Sequence, residues 1–291
     1  MLGVITICKL PGMSSHEVVA RVRRIAGLKR VGHAGTLDPS ACGVLPVCLG
    51  PATRLADYLV GEPKVYRAEF LLGVATDSYD AEGDVTARAD ASHLTDATVA
   101  AVLPRFTGVL HQRPPAHSAV FINGVRAYQL TRQGQEVAMP LREVTVHAFT
   151  PVRVIPGAVA RLLADITCSG GTYIRSLARD IGEALGVGGT LGFLARTRVG
   201  DYRLEDAVTP DELARAAEDG RLSDHLIPAD RAVAYLPAVH LPEEEIRYLE
   251  GKFVSVDAAE GIYRVYLGAR FAGIGQVKEG QVRPVVNLKA S

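Results

Sequence analysis

The sequence predicts an α+β fold, because strand patterns and helix patterns both recur along its 291 residues. Residues 2–8 form an apolar run typical of a buried strand, and residues 65–72 alternate well enough for a second strand. A helix is predicted to open at Ser14, which has capping-box spacing to Glu17 and precedes an apolar stripe that ends at Gly27. Predicted strands and helices are therefore interspersed along the chain.

A glycine-punctuated loop is predicted over residues 32–50, and its apolar stretches should be at least partly buried. Helices are expected at 94–106 and 173–185, and strands near 143–154, 158–168, 262–267 and 272–277. Residues 111–142 are rich in Pro, Gln, Arg and Gly, which predicts an exposed excursion. Prolines at 228, 237 and 242 indicate a linker, and the strands beyond it indicate a small β-rich module.

The composition is that of an ordinary soluble globular protein, with 48% hydrophobic and 22% charged residues. A formal net charge of zero excludes a global field that draws the chain to nucleic acid or to a membrane. The four cysteines are scattered without a CxxC pair, which predicts reduced, mostly buried thiols. The first residues read as a strand and no stretch approaches the ~18 apolar residues of a membrane span, so a cytoplasmic location is expected.

Positive charge is instead concentrated locally, directly before the glycine-rich loop. Five basic residues and no acidic residue lie between positions 18 and 37: Arg21, Arg23, Arg24, Lys29 and Arg30. This run is either a solvated helix face or a surface that positions a polyanion through its phosphates. A looser set on the excursion, interleaved with Tyr128, comprises Arg113, Arg126, Arg132 and Arg142. Basic and aromatic groups on one loop suit RNA, whose splayed bases stack on rings.

The most informative stretch is Gly32 to Pro39, which reads Gly-His-Ala-Gly-Thr-Leu-Asp-Pro. It matches neither an NTPase phosphate loop nor a dinucleotide fingerprint. It does hold His33 and Asp38 on a glycine-rich backbone that can approach a ligand closely. An Asp before a Pro is also a common turn or helix N-cap residue, so the spacing alone leaves both roles open.

Together with the following Gly-Val-Leu-Pro-Val-Cys-Leu-Gly, this stretch resembles the signature loop of the TruB-type bacterial tRNA pseudouridine-55 synthases. Four further stretches resemble that family in the right order: Lys9-Leu-Pro-Gly-Met-Ser-Ser, Tyr66 leading to Leu-Gly-Val-Ala-Thr-Asp, Gln112-Arg-Pro-Pro-Ala-His-Ser-Ala, and Ser169-Gly-Gly-Thr-Tyr-Ile-Arg-Ser-Leu, which continues into Leu194-Ala-Arg-Thr-Arg-Val-Gly. The sequence departs from the family pattern at Phe121, where a lysine is expected, at Ala195, where an arginine is common, and at Thr131, which replaces an alanine. These departures concern details of RNA contact.

The resemblance implies a pseudouridine-synthase fold with a central mixed, mainly antiparallel sheet flanked by helices and loops. It implies a catalytic domain over 1–236, including an RNA-contacting excursion at about 111–142, and a short PUA-like RNA-binding module over 237–291. The implied reaction isomerises the uridine at position 55 of the T loop of tRNA. The target base is flipped out, the N1–C1′ bond breaks, and the base rejoins through C5. Neither a cofactor nor a metal is implied, and the expected partner is tRNA, with no membrane and no obligate protein partner.

The resemblance also assigns site residues. Asp38 is the essential carboxylate, and a carboxylate can serve as nucleophile or base in such a reaction. Tyr66 and Arg175 are the other catalytic candidates, with Arg175 expected to hold the charge of Asp38. A cation in the first turn of a helix interacts unfavourably with the helix macrodipole, at a cost of about 0.3–1 kcal/mol. An anion near Arg175 would offset that cost. The expected substrate-binding residues are Lys9, Arg30, His33, Arg126, Arg132, Tyr173 and Leu194.

Two other functions are compatible with the sequence. The chain could be a tRNA-binding or tRNA-folding chaperone with secondary or no catalysis, or an enzyme that cuts the glycosidic bond without rejoining it. Bond-cutting enzymes often use paired carboxylates, and no second acid partners Asp38 by sequence alone. The acidic segment from Asp77 to Asp84 is interpreted as a surface turn, because its spacing does not fit an EF-hand.

Overall fold

The computed structural model describes residues 2–61, 63–118, 120–122, 124–135 and 137–288, with Arg132 described by its backbone alone. The chain packs into two compact units. The first unit comprises Met1–Pro39, Val44–Gly61 and Tyr202–Ser291, and the second comprises Ser40–Gly43 and Glu62–Asp201. Across the described residues, no helix combines the length and the apolar character needed to cross a membrane.

The described residues contain both helices and strands. The α-helices are α1 (Ser15–Ala26), α2 (Ala56–Val60), α3 (Asp96–Val102), α4 (Ala127–Arg132), α5 (Ile174–Ala184) and α6 (Pro210–Glu218). The strands of the first half are β1 (Gly3–Lys9), β2 (Val31–His33), β3 (Cys42–Leu49), β4 (Lys64–Leu72), β5 (Val74–Thr76), β6 (Val85–Arg88), β7 (Gly108–Gln112), β8 (Phe121–Ile122) and β9 (Val125–Arg126). Those of the second half are β10 (Arg142–Ile155), β11 (Ala160–Cys168), β12 (Gly189–Val199), β13 (Tyr202–Arg203), β14 (Ile227–Pro228), β15 (Ala238–Leu241), β16 (Val254–Ser255), β17 (Gly261–Leu267), β18 (Arg270–Lys278) and β19 (Gln281–Asn287).

The first unit contains strands in the order β14-β1-β3, with β2 paired antiparallel to β3. Helices α1 and α6 pack together beside these strands, where Arg21 pairs with Asp211. The buried core that joins helices and strands comprises Ile5, Ile7, Val18, Val19, Val22, Val31, Leu45, Val47, Leu49 and Leu213. The apolar stripe predicted for the first helix therefore faces this core.

The last residues of the first unit form a five-stranded sheet in the order β15-β17-β18-β19-β16. Strand β15 pairs with β17 in parallel, and the other pairings are antiparallel. Its core includes Tyr248, Val265 and Val282, which are buried. The β-rich module expected from the sequence is present, and the strands predicted at 262–267 and 272–277 are confirmed.

The second unit is built on long strands in the order β12-β4-β11-β10-β7, with antiparallel pairings throughout this path. The start of β3 adds a parallel pairing, in which Cys42 and Gly43 lie opposite Ala195 and Arg196. Helix α5 packs against β12 and β4. The α+β class and the mixed, mainly antiparallel strand pairing predicted from the sequence are confirmed.

The N-terminus of α1 is formed by the capping box that the sequence predicts. The Ser14 hydroxyl accepts a hydrogen bond from the Glu17 backbone N–H at 3.2 Å, and the Ser14 N–H donates to the Glu17 carboxylate at 2.6 Å. The hydrogen bond from the Ser14 backbone N–H to the carboxylate, followed by the hydrogen bond from the Ser14 side chain, lowers the pKa of Glu17. Gly27 closes the helix with φ 63°, a left-handed conformation that glycine adopts without strain.

We expect Ser14→Ala to lower the free energy of unfolding by about 1 kcal/mol, because the N-cap hydroxyl is lost. The stability that the ionised Glu17 carboxylate contributes to the cap is fully present above the ordinary carboxyl pKa of about 4.3. It disappears as the pH falls through the lowered pKa of the folded state. Urea unfolding at neutral and acidic pH measures both effects. The exposed Ser255→Ala variant is the matched control, and an equal loss in both variants would contradict the capping role.

Three local predictions need correction. Within the loop predicted over 32–50, residues 42–49 form strand β3, which is buried over nearly its whole length. The excursion at 111–142 is only partly exposed, because Val120, Ala127 and Met139 form a small buried cluster. The linker predicted around Pro228 is also structured, since Ile227 and Pro228 pair with β1 as strand β14.

The predicted burial of the cysteines is confirmed for two of the four, since Cys8 and Cys42 are only half-buried. All four lie in the described part of the chain and none forms a disulfide. Cys48 and Cys168 are buried, and burial raises their pKa values to about 12 and about 11, respectively. At neutral pH these two thiols therefore remain protonated and serve as packing groups.

Candidate active site

Asp38 lies in the first unit, on the segment that connects β2 to β3. The backbone groups of its two neighbours are fixed by hydrogen bonds. The Ser15 hydroxyl accepts from the Leu37 N–H at 2.9 Å and donates to the Leu37 carbonyl at 3.0 Å, while the Gly12 N–H donates to the Pro39 carbonyl at 2.9 Å. Asp38 itself is half-buried. The loop therefore presents a carboxylate at the surface on a backbone whose position is set by the start of α1.

Lys9, predicted to bind substrate, is fully buried. Its ammonium donates to the carbonyls of Leu10 at 3.1 Å and Pro39 at 3.0 Å. A side chain with no exposed surface cannot reach an RNA phosphate in this conformation, so the expectation of direct contact is not supported. The contact with Pro39 instead gives Lys9 a role in holding the Asp38 loop.

His33 ends β2 and lies opposite Val47 of β3. It is half-buried, and its ring meets that of His16 edge to face with centroids 5.8 Å apart. The structure therefore places His33 and Asp38 on the same β2–β3 connection, as the sequence motif requires.

Tyr66 and Leu194 lie on one face of the second unit's sheet. In the β4–β12 pairing Tyr66 is opposite Arg196, and Leu194 is opposite Ala68. All four are buried. Cross-strand partners share a face of a sheet, so the pairing brings Tyr66, Leu194 and Arg196 together. Arg196, a fully buried arginine, was quoted within a family motif but was not singled out from the sequence.

The close approach of β3 to β12 depends on Gly43. Its φ of 102° lies in the region that favours glycine, and a Cβ there would lie 2.2 Å from the carbonyl oxygen of Arg196. Any side chain at position 43 would push the two strands apart. Gly43 is therefore required because it packs against the backbone of Arg196, the residue opposite Tyr66.

Arg175 is buried at the start of α5, and a carboxylate meets its guanidinium. Its Nη1 lies 3.2 Å from Oδ2 of Asp80, and the two side chains are 7% and 12% exposed. The guanidinium also donates to the carbonyls of Ser78 at 3.3 Å and His117 at 3.0 Å. The anion that the first-turn position demands is thus supplied, at least in part, by Asp80.

The segment from Asp77 to Asp84 is therefore more than a surface turn. Asp77, Glu82 and Asp84 are exposed as predicted, but Asp80 is buried. Its Oδ1 accepts from the Ser78 hydroxyl at 2.7 Å and from the Glu82 N–H at 3.2 Å. Asp80 is therefore a partner of the predicted site residue Arg175 that sequence reasoning missed.

Tyr173 is the N-cap residue of α5 and precedes Arg175 by two positions. Its half-buried side chain packs against the cluster of Val120, Ala127 and Met139. Its backbone forms two hydrogen bonds with the side-chain amide of Gln112. The excursion and the start of α5 are therefore packed together.

The basic residues predicted to bind RNA have different environments. Arg30 is exposed beside α1. Arg126 lies over the ring of Phe121, with its guanidinium carbon 4.7 Å from the ring centroid, and Phe121 is 59% exposed. The departure from the family lysine thus creates a surface cation–π pair, worth about 0.5–1 kcal/mol. The side chain of Arg132 lies outside the described part of the chain.

Comparison with known proteins gives consistent results along the chain. Residues 23–174 match the family model described as TruB family pseudouridylate synthase (N terminal domain). Residues 175–234 match the tRNA pseudouridylate synthase B C-terminal domain, and residues 237–286 match Pseudouridine synthase II TruB, C-terminal. The chain belongs to the TruB family of pseudouridylate synthases.

Curated relatives and solved structures agree with this assignment. The protein named tRNA pseudouridine synthase B from Moorella thermoacetica is 48% identical over 86% of this chain and 82% of its own length. The one from Acaryochloris marina is 43% identical over 100% of both. A solved structure described as an H/ACA RNP bound to a substrate RNA containing 2′-deoxyuridine is similar, with a TM-score of 0.73 and 26% identity over 99% of this chain and 85% of that chain.

Proposed function

We propose that this chain isomerises the uridine at position 55 of the T loop of tRNA to pseudouridine. Its membership of the pseudouridylate synthase family supports the reaction, and the names of its relatives support tRNA as the substrate. The observation that carries the proposal is Asp38, a half-buried carboxylate held by its backbone neighbours on the loop that bears the family motif. The reaction breaks the N1–C1′ bond, forms a C5–C1′ bond, releases the proton of C5 and leaves a proton on N1.

In this proposal Asp38 is the essential carboxylate, and it acts as nucleophile or base. Tyr66 and Arg175 are the other catalytic residues. Tyr66 offers a ring on which the flipped uracil can stack, and Arg175 offers a guanidinium of fixed orientation. Asp80, Ser78 and His117 support this role of Arg175, because their contacts restrict its side chain to one position.

Substrate binding is assigned to groups around the flipped nucleotide and along the RNA backbone. His33 fills part of the space that the target base leaves in the base stack. This contact offsets part of the few kcal/mol that base flipping costs. Tyr173 and Leu194 line the nucleotide pocket. Arg30, Arg126 and Arg132 contact phosphates, which fix the position of an RNA without reading its sequence. Lys9 supports the Asp38 loop from inside and is reassigned as a positioning residue.

The organisation proposed for the chain is a catalytic domain over 1–236 and a short PUA-like RNA-binding module over 237–291. The family-model match that begins at residue 237 supports this boundary. The proposed partner is tRNA, with no obligate protein partner, and the proposed location is the cytoplasm. The reaction itself transfers no electrons and no group from a donor, so the proposal includes no cofactor.

A bare T-arm hairpin with tritium at uracil C5 tests the function. We expect release of one tritium per hairpin, because the C5 proton is lost when C5 bonds to C1′. A hairpin with cytidine at the target position is the matched control and should release none. Binding without release would favour a tRNA-folding chaperone, and free uracil among the products would favour an enzyme that cuts without rejoining.

A further inference from the structure

We infer that Gln112 is a positioning residue for the proposed catalytic site, acting through the backbone of Tyr173. This inference rests on the proposed roles of Tyr173 and Arg175. Gln112 ends strand β7 and is only 2% exposed. Its side chain lies against the first turn of α5.

The amide of Gln112 pairs with both backbone groups of one residue. Its Nε2 donates to the Tyr173 carbonyl at 3.0 Å, and its Oε1 accepts from the Tyr173 N–H at 2.7 Å. Tyr173 has an extended backbone with φ −100° and ψ 107°. The side-chain amide therefore imitates a neighbouring strand, and it fixes the Tyr173 peptide groups in both directions.

This pairing replaces an ordinary helix cap. The N-cap residue of α5 is Tyr173, which forms no side-chain capping bond. Ser, Thr, Asp and Asn are the residues preferred at a helix N-cap, because their side chains accept hydrogen bonds from the first backbone N–H groups. Here the orientation of the N-cap residue is set from outside the helix, by a glutamine 61 residues away in sequence.

The consequence concerns the two proposed site residues at the start of α5. Tyr173 carries the clamp itself, and Arg175 follows within the first helical turn. A rotation of the Tyr173 peptide would move both side chains. Because misplacement by 1 Å can reduce a rate by about 100-fold, loss of the clamp should reduce catalysis more than it reduces tRNA binding.

Gln112→Glu makes the clamp depend on pH. When its carboxyl group is protonated, the introduced side chain can both accept from the Tyr173 N–H and donate to the Tyr173 carbonyl, as glutamine does. The ionised form has no donor, and its charge faces that carbonyl oxygen. Burial and this contact should raise the carboxyl pKa of the variant above the ordinary value of about 4.3. Activity should therefore be high at low pH and fall as the carboxyl ionises.

The surroundings allow this group to titrate. Gln112 lines a cavity of about 410 Å³ that water can enter. The charged side chains that line this cavity with Gln112 are Arg105, Asp180 and Glu183, together with the titratable His111. Its other charged or titratable neighbours are Arg113, Arg142 and Tyr173. They are the same in every variant of the experiment, so the comparison between variants isolates position 112.

The experiment measures single-turnover tritium release at saturating enzyme for each variant relative to the unmodified chain, from about pH 5 to about pH 9. We expect Gln112→Glu to recover toward the rate of the unmodified chain at low pH and to fall by about 100-fold at high pH. Gln112→Ala should be slow at every pH. Ser176→Ala is the matched control, because the Ser176 hydroxyl joins the same two segments by donating to the Arg113 carbonyl at 2.8 Å without touching Tyr173. Its relative rate should not vary with pH.

Several outcomes would overturn the inference. A rate of Gln112→Glu that stays low or stays high at all pH values would exclude the clamp. So would a rate that only follows the fraction of unfolded protein, which circular dichroism at each pH measures. Failure of the proposed function itself is distinguishable, because the unmodified chain would then release no tritium.

Discussion

Asp38→Asn should reduce the rate of pseudouridine formation by about 100- to 10,000-fold while leaving the fold and tRNA binding intact. Asparagine has nearly the same shape as aspartate but carries no charge and cannot act as a nucleophile or base at neutral pH. The loop should keep its conformation, because its anchors are the backbones of Leu37 and Pro39, held by Ser15, Gly12 and Lys9. The loss therefore reports on the chemistry of Asp38 alone.

The measurement combines tritium release with a tRNA-binding titration and a urea unfolding curve. Asp57→Asn is the matched control, since Asp57 is an exposed acid in the same unit and its replacement removes the same charge. Asp38→Glu extends the test: a carboxylate moved by one methylene should also be slow, because the loop fixes the reach of the side chain. Turnover retained by Asp38→Asn would remove the central assignment of the proposed function.

The sequence predicted elements whose signals are local. Helix α1 begins at a capping box and ends at a left-handed glycine, and both signals are contained within a few residues of the helix ends. Strand β4 alternates between buried and more exposed residues, which is the pattern of a strand with two different faces. In these segments, local chemistry and the final packing favour the same structure.

Strand β3 was predicted as part of a loop for a physical reason. It is buried on both faces, so its residues show no period-2 alternation, and Gly43 and Pro46 resemble turn residues. Gly43 is required by the approach of the Arg196 backbone, and the Pro46 carbonyl accepts from the Ala34 N–H. Both residues have roles defined by distant partners, which a single sequence does not display.

The same limit applies to the candidate site. The first-turn position of Arg175 predicts a nearby anion, and the family resemblance assigns Asp38 to that role, but neither signal points to Asp80. Asp80 lies 95 residues earlier in the chain, within a segment whose exposed acids resemble a solvated turn. Gln112 and Lys9 are similar cases, since the Tyr173 and Pro39 carbonyls that they bind become their neighbours only in the folded chain.

Asp80→Asn should lower the free energy of unfolding by about 3 kcal/mol, because it removes one partner of a buried ion pair. The Arg175 guanidinium would keep its carbonyl contacts with Ser78 and His117 but lose the carboxylate charge beside it. The asparagine can still accept from the Ser78 hydroxyl, so the variant changes charge more than shape. Urea unfolding at neutral pH measures the loss.

Asp165→Asn is the matched control within the same unit. Asp165 pairs with Arg67 at 2.7 Å, but their side chains are 37% and 51% exposed, and a surface pair of this kind is screened by solvent and contributes little to stability. Equal unfolding midpoints for the two variants would show that the buried Asp80–Arg175 pair contributes no more to stability than the exposed Asp165–Arg67 pair. Tritium release under conditions where both variants are folded then separates stability from catalysis. If Arg175 is catalytic and Asp80 fixes its orientation, Asp80→Asn should be slow while Asp165→Asn keeps the rate of the unmodified chain.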